Sequence, residues 1–265
     1  MSVIKHKKYK KNPALVSVLL FFFLAALTCI LQTEAMSVDW ISLKAEASMT
    51  LILAAVGETM VLLIGGIDLS IAGVISLTNS FSAIYMLDSG VSILTVSILC
   101  ILIGLSVGLF NGFVIQKFQV QPFIVTFSTW FICGGIAYLV LPKDGGKPPA
   151  SFADAMVTKI GGKVSVAVLF ILLLAAAWFY FKKTRLGIYV YAVGSNDKAA
   201  SLNGINVFRV KLFAYAASGV FAALAGVYRT AVVTSGSPTA GESFFNQAIA
   251  ASVIGGTLLT GGKGG

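Results

Sequence analysis

Two carboxylates, Glu58 and Asp68, lie inside or beside long apolar stretches of the sequence, and no other residues there are better placed to do chemistry. An acidic side chain at the centre of a membrane helix costs about 2.5–3.5 kcal/mol on insertion scales, so it persists only with a partner, an aqueous cavity or a helix end. The ten positions between the two correspond to about 15 Å of helix axis. They cannot form one paired-carboxylate site unless the chain breaks between them, and Gly65 and Gly66 can supply that break. Asp68 also fits a helix N-cap. The stretch "LSIAGVISL" follows it, and an aspartate accepts the orphan amides of a helix start, here near the cytoplasmic boundary and on the positive end of the helix dipole. Glu58 falls near the middle of its apolar run, where two roles are open: a group lining a polar pathway, or a protonated structural glutamate. In both it faces protein.

Uncharged polar residues interrupt other apolar runs: Asn79, Asn111, Thr126, Ser128, Asn246 and Gln247. Each alone fits an interhelix hydrogen bond; together they fit a pathway for a neutral hydroxylated molecule. Other chemistry is scarce. The only histidine, His6, sits beside Lys5 and Lys7, which excludes a His-based catalytic site. Cys29, Cys100 and Cys133 lie in apolar runs without the spacing of a metal cluster and read as packing residues, so no metal or cofactor is expected. The end "TLLTGGKGG" looks like a phosphate loop, but the Walker pattern needs Gly at Thr257 and Ser or Thr at Gly264. The chain therefore carries no ATPase of its own.

The elements that position these residues follow from composition. Hydrophobic residues make up 57% of the chain and charged ones 11%, against about 25% charged in soluble domains. The apolar residues form long runs without period-2 alternation, so the fold class is all-α: a polytopic transmembrane helical bundle, with the lipid bilayer as its solvent. The first run, "PALVSVLLFFFLAALTCIL", exceeds a signal-peptide core and reads as an uncleaved helix. Further runs at 49–67, 69–87, 91–116, 118–142, 164–181, 212–228 and 243–262 are each near the ~20 residues that span a membrane. About eight spanning segments result. The domain plan is a basic cytoplasmic tail over residues 1–12, then a membrane domain over 13–265.

The net charge of +9 does not point to nucleic acid, because no soluble domain presents the basic residues. They flank the apolar runs, and with the N-terminus in the cytoplasm most of the 19 Lys and Arg residues fall inside, as the positive-inside rule requires. The loop 182–211, with Lys182, Lys183, Arg185, Lys198, Arg209 and Lys211, is then cytoplasmic. Lys143, Lys147, Lys159 and Lys163 come out external, spread over a Gly- and Pro-containing loop at 143–163. Small residues at Gly104, Gly108 and Gly112, and at Ser218, Ala222 and Gly226, form stripes that let helix backbones approach closely.

Four blocks, "GETMVLLIGGIDLSIAGVISLT", "GLFNGFVIQKFQVQPFIVTFSTW", "GIYVYAVGSNDKAASLNGINVFRVKLFAYAASGVFAALAG" and "NQAIAASVIGGTLLTGGKGG", resemble in order and spacing the permease subunits of ribose-type ABC importers. The resemblance runs from about residue 49 to the end. It implies a type II importer permease fold in a bacterial cytoplasmic membrane and import of a small sugar by ATP-driven alternating access, without covalent chemistry. It also implies three protein partners: an ATP-binding subunit at the cytoplasmic face, a second permease subunit and an extracytoplasmic sugar-binding protein. The segment matching the helix that transmits the ATPase motion is "GSNDKAASLNGIN", with Asn196, Asp197, Ala199, Ala200, Gly204, Ile205 and Asn206. Asn196 and Asp197 suit the start of a short helix, and Gly204 its end.

The chain departs from the family pattern in three places. Cys133 stands where an Arg is frequent, another Arg is frequent near Ile188, and an acidic residue is common at the place of Gln247. Family members continue past "GGKGG", so a fragment or an inactive truncated permease is one expectation. A permease for amino acids or nucleosides is the alternative within transport. A membrane-embedded transferase would need clustered acidic or His residues at a membrane face, which the inventory lacks; a structural scaffold stays open.

Overall fold

The structure, a computed structural model, describes residues 13–32, 34–35 and 37–265. The basic tail of residues 1–12 with His6, expected in the cytoplasm, lies outside them. The described chain forms α1 (Pro13–Leu31), α2 (Val38–Leu63), α3 (Ser70–Tyr85), α4 (Gly90–Phe118), α5 (Pro122–Val140), α6 (Ala150–Val157), β1 (Lys159–Ile160), β2 (Val164–Ser165), α7 (Val166–Phe181), α8 (Arg185–Ser195), α9 (Asp197–Leu202), α10 (Val207–Val233) and α11 (Phe244–Ile254). The all-α bundle read from composition is the fold observed.

Among the described residues, α2, α4, α5 and α10 are long and apolar enough to cross a membrane, and α7 with α8 makes a fifth candidate bent by 72°. The expected count of about eight spans is thus not shown by these helices. Each of the eight apolar runs contains helix, but α3 has 16 residues and α11 has 11, short of the ~20 a crossing needs. Irregular chain lies beside them: residues 64–69 before α3, and 255–262 after α11.

α2 starts well before the apolar run at residue 49. Ser37 caps it by accepting from the Trp40 amide at 3.1 Å, and its first turns carry Asp39, Lys44 and Glu46, which hid them from a search for apolar runs. Glu58 is consequently not central. It lies five residues before the helix end at Leu63.

The bundle has two distinct ends. At one, the loop after α5 holds α6 and the β1–β2 hairpin, where only a plain Gly- and Pro-containing loop was expected. Ser42 of α2 accepts from the Ser165 amide at 3.1 Å and donates to the Lys163 carbonyl at 3.2 Å, and Lys159 pairs with Asp39 at 2.7 Å. That hydrogen bond to Asp39 pushes the Lys159 ammonium above its ordinary range. At the other end α8 and α9 form an elbow between α7 and α10.

α10 is the central post, packed most extensively on α4 and then on α2 and α3. The seam with α4 is backbone on backbone: a Cβ on Gly104 would strike the Gly219 carbonyl, and one on Gly219 would strike the Gly104 carbonyl. Gly108 faces Tyr215 and Ala216 in the same way. The second small-residue stripe looks elsewhere. Ser218 meets Gly57 of α2, and Gly226 meets Ile75, Thr78 and Asn79 of α3. Between helices in lipid, where apolar burial gives little net drive, such close approach supplies the dispersion contacts that hold a bundle.

Candidate functional site

The chain does break between the two carboxylates. α2 ends at Leu63, Gly65 turns the backbone through φ +76°, and residues 64–69 fold back alongside the last turns of α2. The Asp68 amide thereby reaches Glu58 and is shared between its two oxygens at 3.4 and 3.3 Å. Asp68 Oδ1 accepts the Ser70 amide at 3.0 Å and the Ser70 hydroxyl, so it takes up an orphan amide of α3 although the cap position itself is Leu69. Both carboxylates are 1% exposed, enclosed by α4, α5 and α10.

Around this break the bundle gathers further polar groups. Asn111 of α4 donates through its amide nitrogen to the Ser70 hydroxyl at 2.9 Å. Thr126, near the start of α5, faces the Ile67 carbonyl at 3.3 Å and the Pro122 carbonyl at 3.0 Å. From α10, the Tyr215 hydroxyl abuts Gly66, and Ser218 stands beside the Asp68 carboxylate. Ser70, Tyr215 and Ser218 were not foreseen as site residues. A tyrosine hydroxyl eight positions into the 27-residue α10 was the signal available for one of them.

The other polar residues do not join this node. Asn79 sits at the far half of α3 and is fully engaged: its amide donates to Thr230 Oγ1 at 2.8 Å and the Ser235 carbonyl at 3.3 Å, and its Oδ1 accepts the Ser237 amide at 2.7 Å. It ties α3 to α10 and to the chain after it. Asn79→Leu is expected to cost about 1–3 kcal/mol of stability by stranding those partners, with Asn79→Asp milder because it still accepts from Ser237; chemical unfolding in detergent checks the order. Ser128, Asn246 and Gln247 are exposed on the outer faces of α5 and α11. These two faces meet through Trp130 and Phe245, whose rings lie 5.0 Å apart and tilted by 47°, beside the chain of rings Phe123, Phe127 and Phe131. The polar residues taken together as one pathway thus divide into a buried node, a helix tie and an open aromatic face.

The elbow has the local structure its sequence indicates. Thr184 caps α8 by accepting the Gly187 amide at 3.1 Å, and Asn196 caps α9 by accepting the Ala199 amide at 2.9 Å. Asp197 pairs with Lys211 of α10. Ala200 is buried against Val193 and Ile205, while Ala199 is exposed and Leu202 is 89% exposed, an apolar side chain with nothing to cover it. Gly204 ends the turn at φ +80°, with no atom within 4 Å of where a Cβ would stand, and Asn206 caps α10 through the Arg209 amide at 3.0 Å.

A strap of glycines fastens this elbow to the break. The Gly262 amide donates to the Leu63 carbonyl at 2.8 Å, the Tyr191 hydroxyl of α8 donates to the Gly264 carbonyl at 2.7 Å, and a Cβ on Gly194 would strike the Leu63 carbonyl. Gly261 and Gly262 hold φ of +80° and +72°, which glycine alone adopts freely. The "GGKGG" stretch is a backbone strap between α2 and α8.

The sequence profile of the family described as the branched-chain amino acid transport system permease component matches residues 41–263. A ribose import permease of Haemophilus influenzae is 37% identical over 256 residues, covering 94% of this chain and 78% of that protein. A ribose import permease of Bacillus subtilis is 38% identical over 218 residues, covering 80% of this chain and 66% of that protein. A fructose import permease of Bifidobacterium longum is 35% identical over 225 residues, covering 81% and 66% respectively. No solved structure matches the chain. A family profile spanning most of an apolar helical bundle, with relatives above 30% identity along the same stretch, places this chain in the family of transport-system permease components.

Proposed function

We propose that this chain is the membrane-spanning subunit of an ATP-driven importer for a small neutral sugar, placed in a bacterial cytoplasmic membrane with its N-terminus inside. The observation that carries the reading is the 35–38% identity to ribose and fructose import permeases over most of the chain. The sugar crosses along the open face of α5 and α11, closed by a second permease subunit. There the rings of Trp130 and Phe245 offer stacking surface, and Ser128, Asn246 and Gln247 offer hydrogen bonds suited to hydroxyls. An extracytoplasmic sugar-binding protein delivers the substrate at the hairpin end.

ATP hydrolysis belongs to a separate subunit that docks on α9 at the cytoplasmic face, with Leu202 as the apolar contact. Closure of that subunit moves the elbow. Through Gly194, Leu63 and Gly262 the movement reaches residues 64–69, so the buried node and α3 shift with it between outward- and inward-open arrangements.

The test is uptake of labelled ribose, fructose and leucine into vesicles holding this chain with its ATP-binding and binding-protein partners. Uptake of a sugar and not of leucine supports the reading; uptake of leucine alone overturns it in favour of the amino-acid alternative. In the same vesicles Gly204→Trp is expected to leave ATP hydrolysis and membrane insertion in place while uptake falls. The substitution forces a left-handed residue at about 1–2 kcal/mol into the turn that shapes α9, with open space around the added Cβ. Unchanged uptake would remove α9 from the coupling path.

A further inference from the structure

Four buried oxygen atoms at the α2–α3 break lack any hydrogen-bond partner: Asp68 Oδ2, Asn111 Oδ1, the Tyr215 hydroxyl and Ser218 Oγ. Their residues are between 0% and 1% exposed. The network around them fixes which atoms are free. Ser70 has one hydroxyl proton and gives it to Asp68 Oδ1, so it must accept from the Asn111 amide nitrogen. That leaves the carbonyl oxygen of Asn111 and the second oxygen of Asp68 without partners. Tyr215 and Ser218 arrive from α10, with the Tyr215 hydroxyl against Gly66 and Ser218 beside the Asp68 carboxylate.

We propose that this node binds one dehydrated monovalent metal cation of the sodium class, held by Asp68, Asn111, Tyr215 and Ser218. The donor set is all oxygen: one carboxylate, one amide carbonyl and two hydroxyls, the hard ligands that such ions prefer. Charge selects an ion over a water molecule. Among the described residues the ion pairs are Lys159–Asp39 and Lys211–Asp197, so neither Glu58 nor Asp68 has a basic partner. A water would hydrogen-bond the four oxygens but brings no positive charge to Asp68; with Asp68 ionised, a cation both coordinates the four oxygens and compensates that charge. The amide end of α3 does not compete for the ion, because Asp68 Oδ1 already faces it.

Space excludes a sugar at this point. A Cβ on Gly66 would strike the Tyr215 hydroxyl, and one on Gly57 would come within 3.1 Å of the Ser218 carbonyl. The packing leaves no room there for anything larger than an ion or a water. An approach exists from the elbow end, through a cavity of about 230 Å³ lined by Gly65, Gly66, Gln116, Gln119, Lys211 and Tyr215, which reaches the tyrosine from outside the node.

The inference is independent of what the protein transports, and so is its test. The purified full-length protein in detergent is heated in choline chloride, and then in LiCl, NaCl or KCl at matched ionic strength, with tryptophan fluorescence as the readout. At least one metal cation is expected to raise the melting temperature by several degrees in a saturable manner that choline does not reproduce. Ser218→Ala removes one ligand with little change of volume and is expected to move the midpoint of that titration to a concentration about tenfold higher. Asn111→Leu, if it folds, is expected to abolish the dependence. Superimposed melting curves in all four salts would mean an internal water only and overturn the proposal. A Ser218→Ala titration identical to the parent's would overturn it as well.

Discussion

Gly219→Leu is expected to remove nearly all folded protein from the membrane fraction. Cβ atoms at Gly219 and Gly104 would each strike the other residue's backbone carbonyl, so the α4–α10 seam has no flexible side chain that could move aside. A larger residue must separate the two helices along the most extensive contact in the bundle, and α10 also carries Tyr215 and Ser218 to the buried node. Overpacking a tight core costs about 1–3 kcal/mol where neighbours can repack. Here the neighbour is backbone, and the cost is expected at or above about 3 kcal/mol, a large share of a domain's stability. Gly134→Ala and Gly135→Ala are the matched controls: on α5 no atom lies within 4 Å of either added Cβ. Size-exclusion chromatography of detergent extracts, with a fluorescent fusion as reporter, reads the outcome. A monodisperse Gly219→Leu peak equal to the parent's would show that the seam is not as tight as described.

Gly194→Val is expected to be the most damaging change at the elbow end. The added Cβ would collide with the Leu63 carbonyl, the same oxygen that accepts the Gly262 amide, so one substitution loosens both the α8–α2 contact and the glycine strap. The cost falls on a junction between two moving parts and not on the middle of the bundle. A bias of about 1–3 kcal/mol between two arrangements changes their ratio by roughly fivefold to 150-fold. Sugar uptake in vesicles is accordingly expected to fall at least about fivefold while expression and the ATPase activity of the partner subunit persist. Equal uptake by Gly194→Val and the parent would mean that the Leu63 junction carries no motion.

How much of this was legible beforehand varies from element to element. α4, α5 and α10 are dense apolar runs, and the composition argument finds them with little error. The first half of α2 carries Asp39, Lys44 and Glu46, so hydropathy missed it, and the position of Glu58 within its helix was misjudged for that reason. α3 and α11 were read as full spans because the irregular chain beside them is also apolar, and hydropathy does not separate a helix from a buried turn. A paired-carboxylate site was conditional on a break at Gly65 and Gly66; Gly65 provides the break, and what reaches Glu58 across it is the Asp68 amide. What no local pattern could give is the distant half of the node. Asn111, Tyr215 and Ser218 are brought to Asp68 by the glycine seams and by the packing of α4 and α10. The elbow was more legible, because capping residues act within one turn: Asn196, Gly204 and Asn206 each do locally what their types suggest. The strap was not, since a glycine run has no side chains to advertise what its backbone will bind.

The most direct test of the account is the side of the membrane from which α9 can be reached. In a background with Cys29, Cys100 and Cys133 replaced by serine or alanine, Leu202→Cys places a single thiol at the 89%-exposed tip of the elbow. In intact cells that thiol should react with a membrane-permeant maleimide and resist an impermeant one, and it should be shielded once the ATP-binding subunit is co-expressed. Rapid labelling by the impermeant reagent from outside would place the elbow on the wrong face and contradict both the docking of that subunit and the transport mechanism built on it.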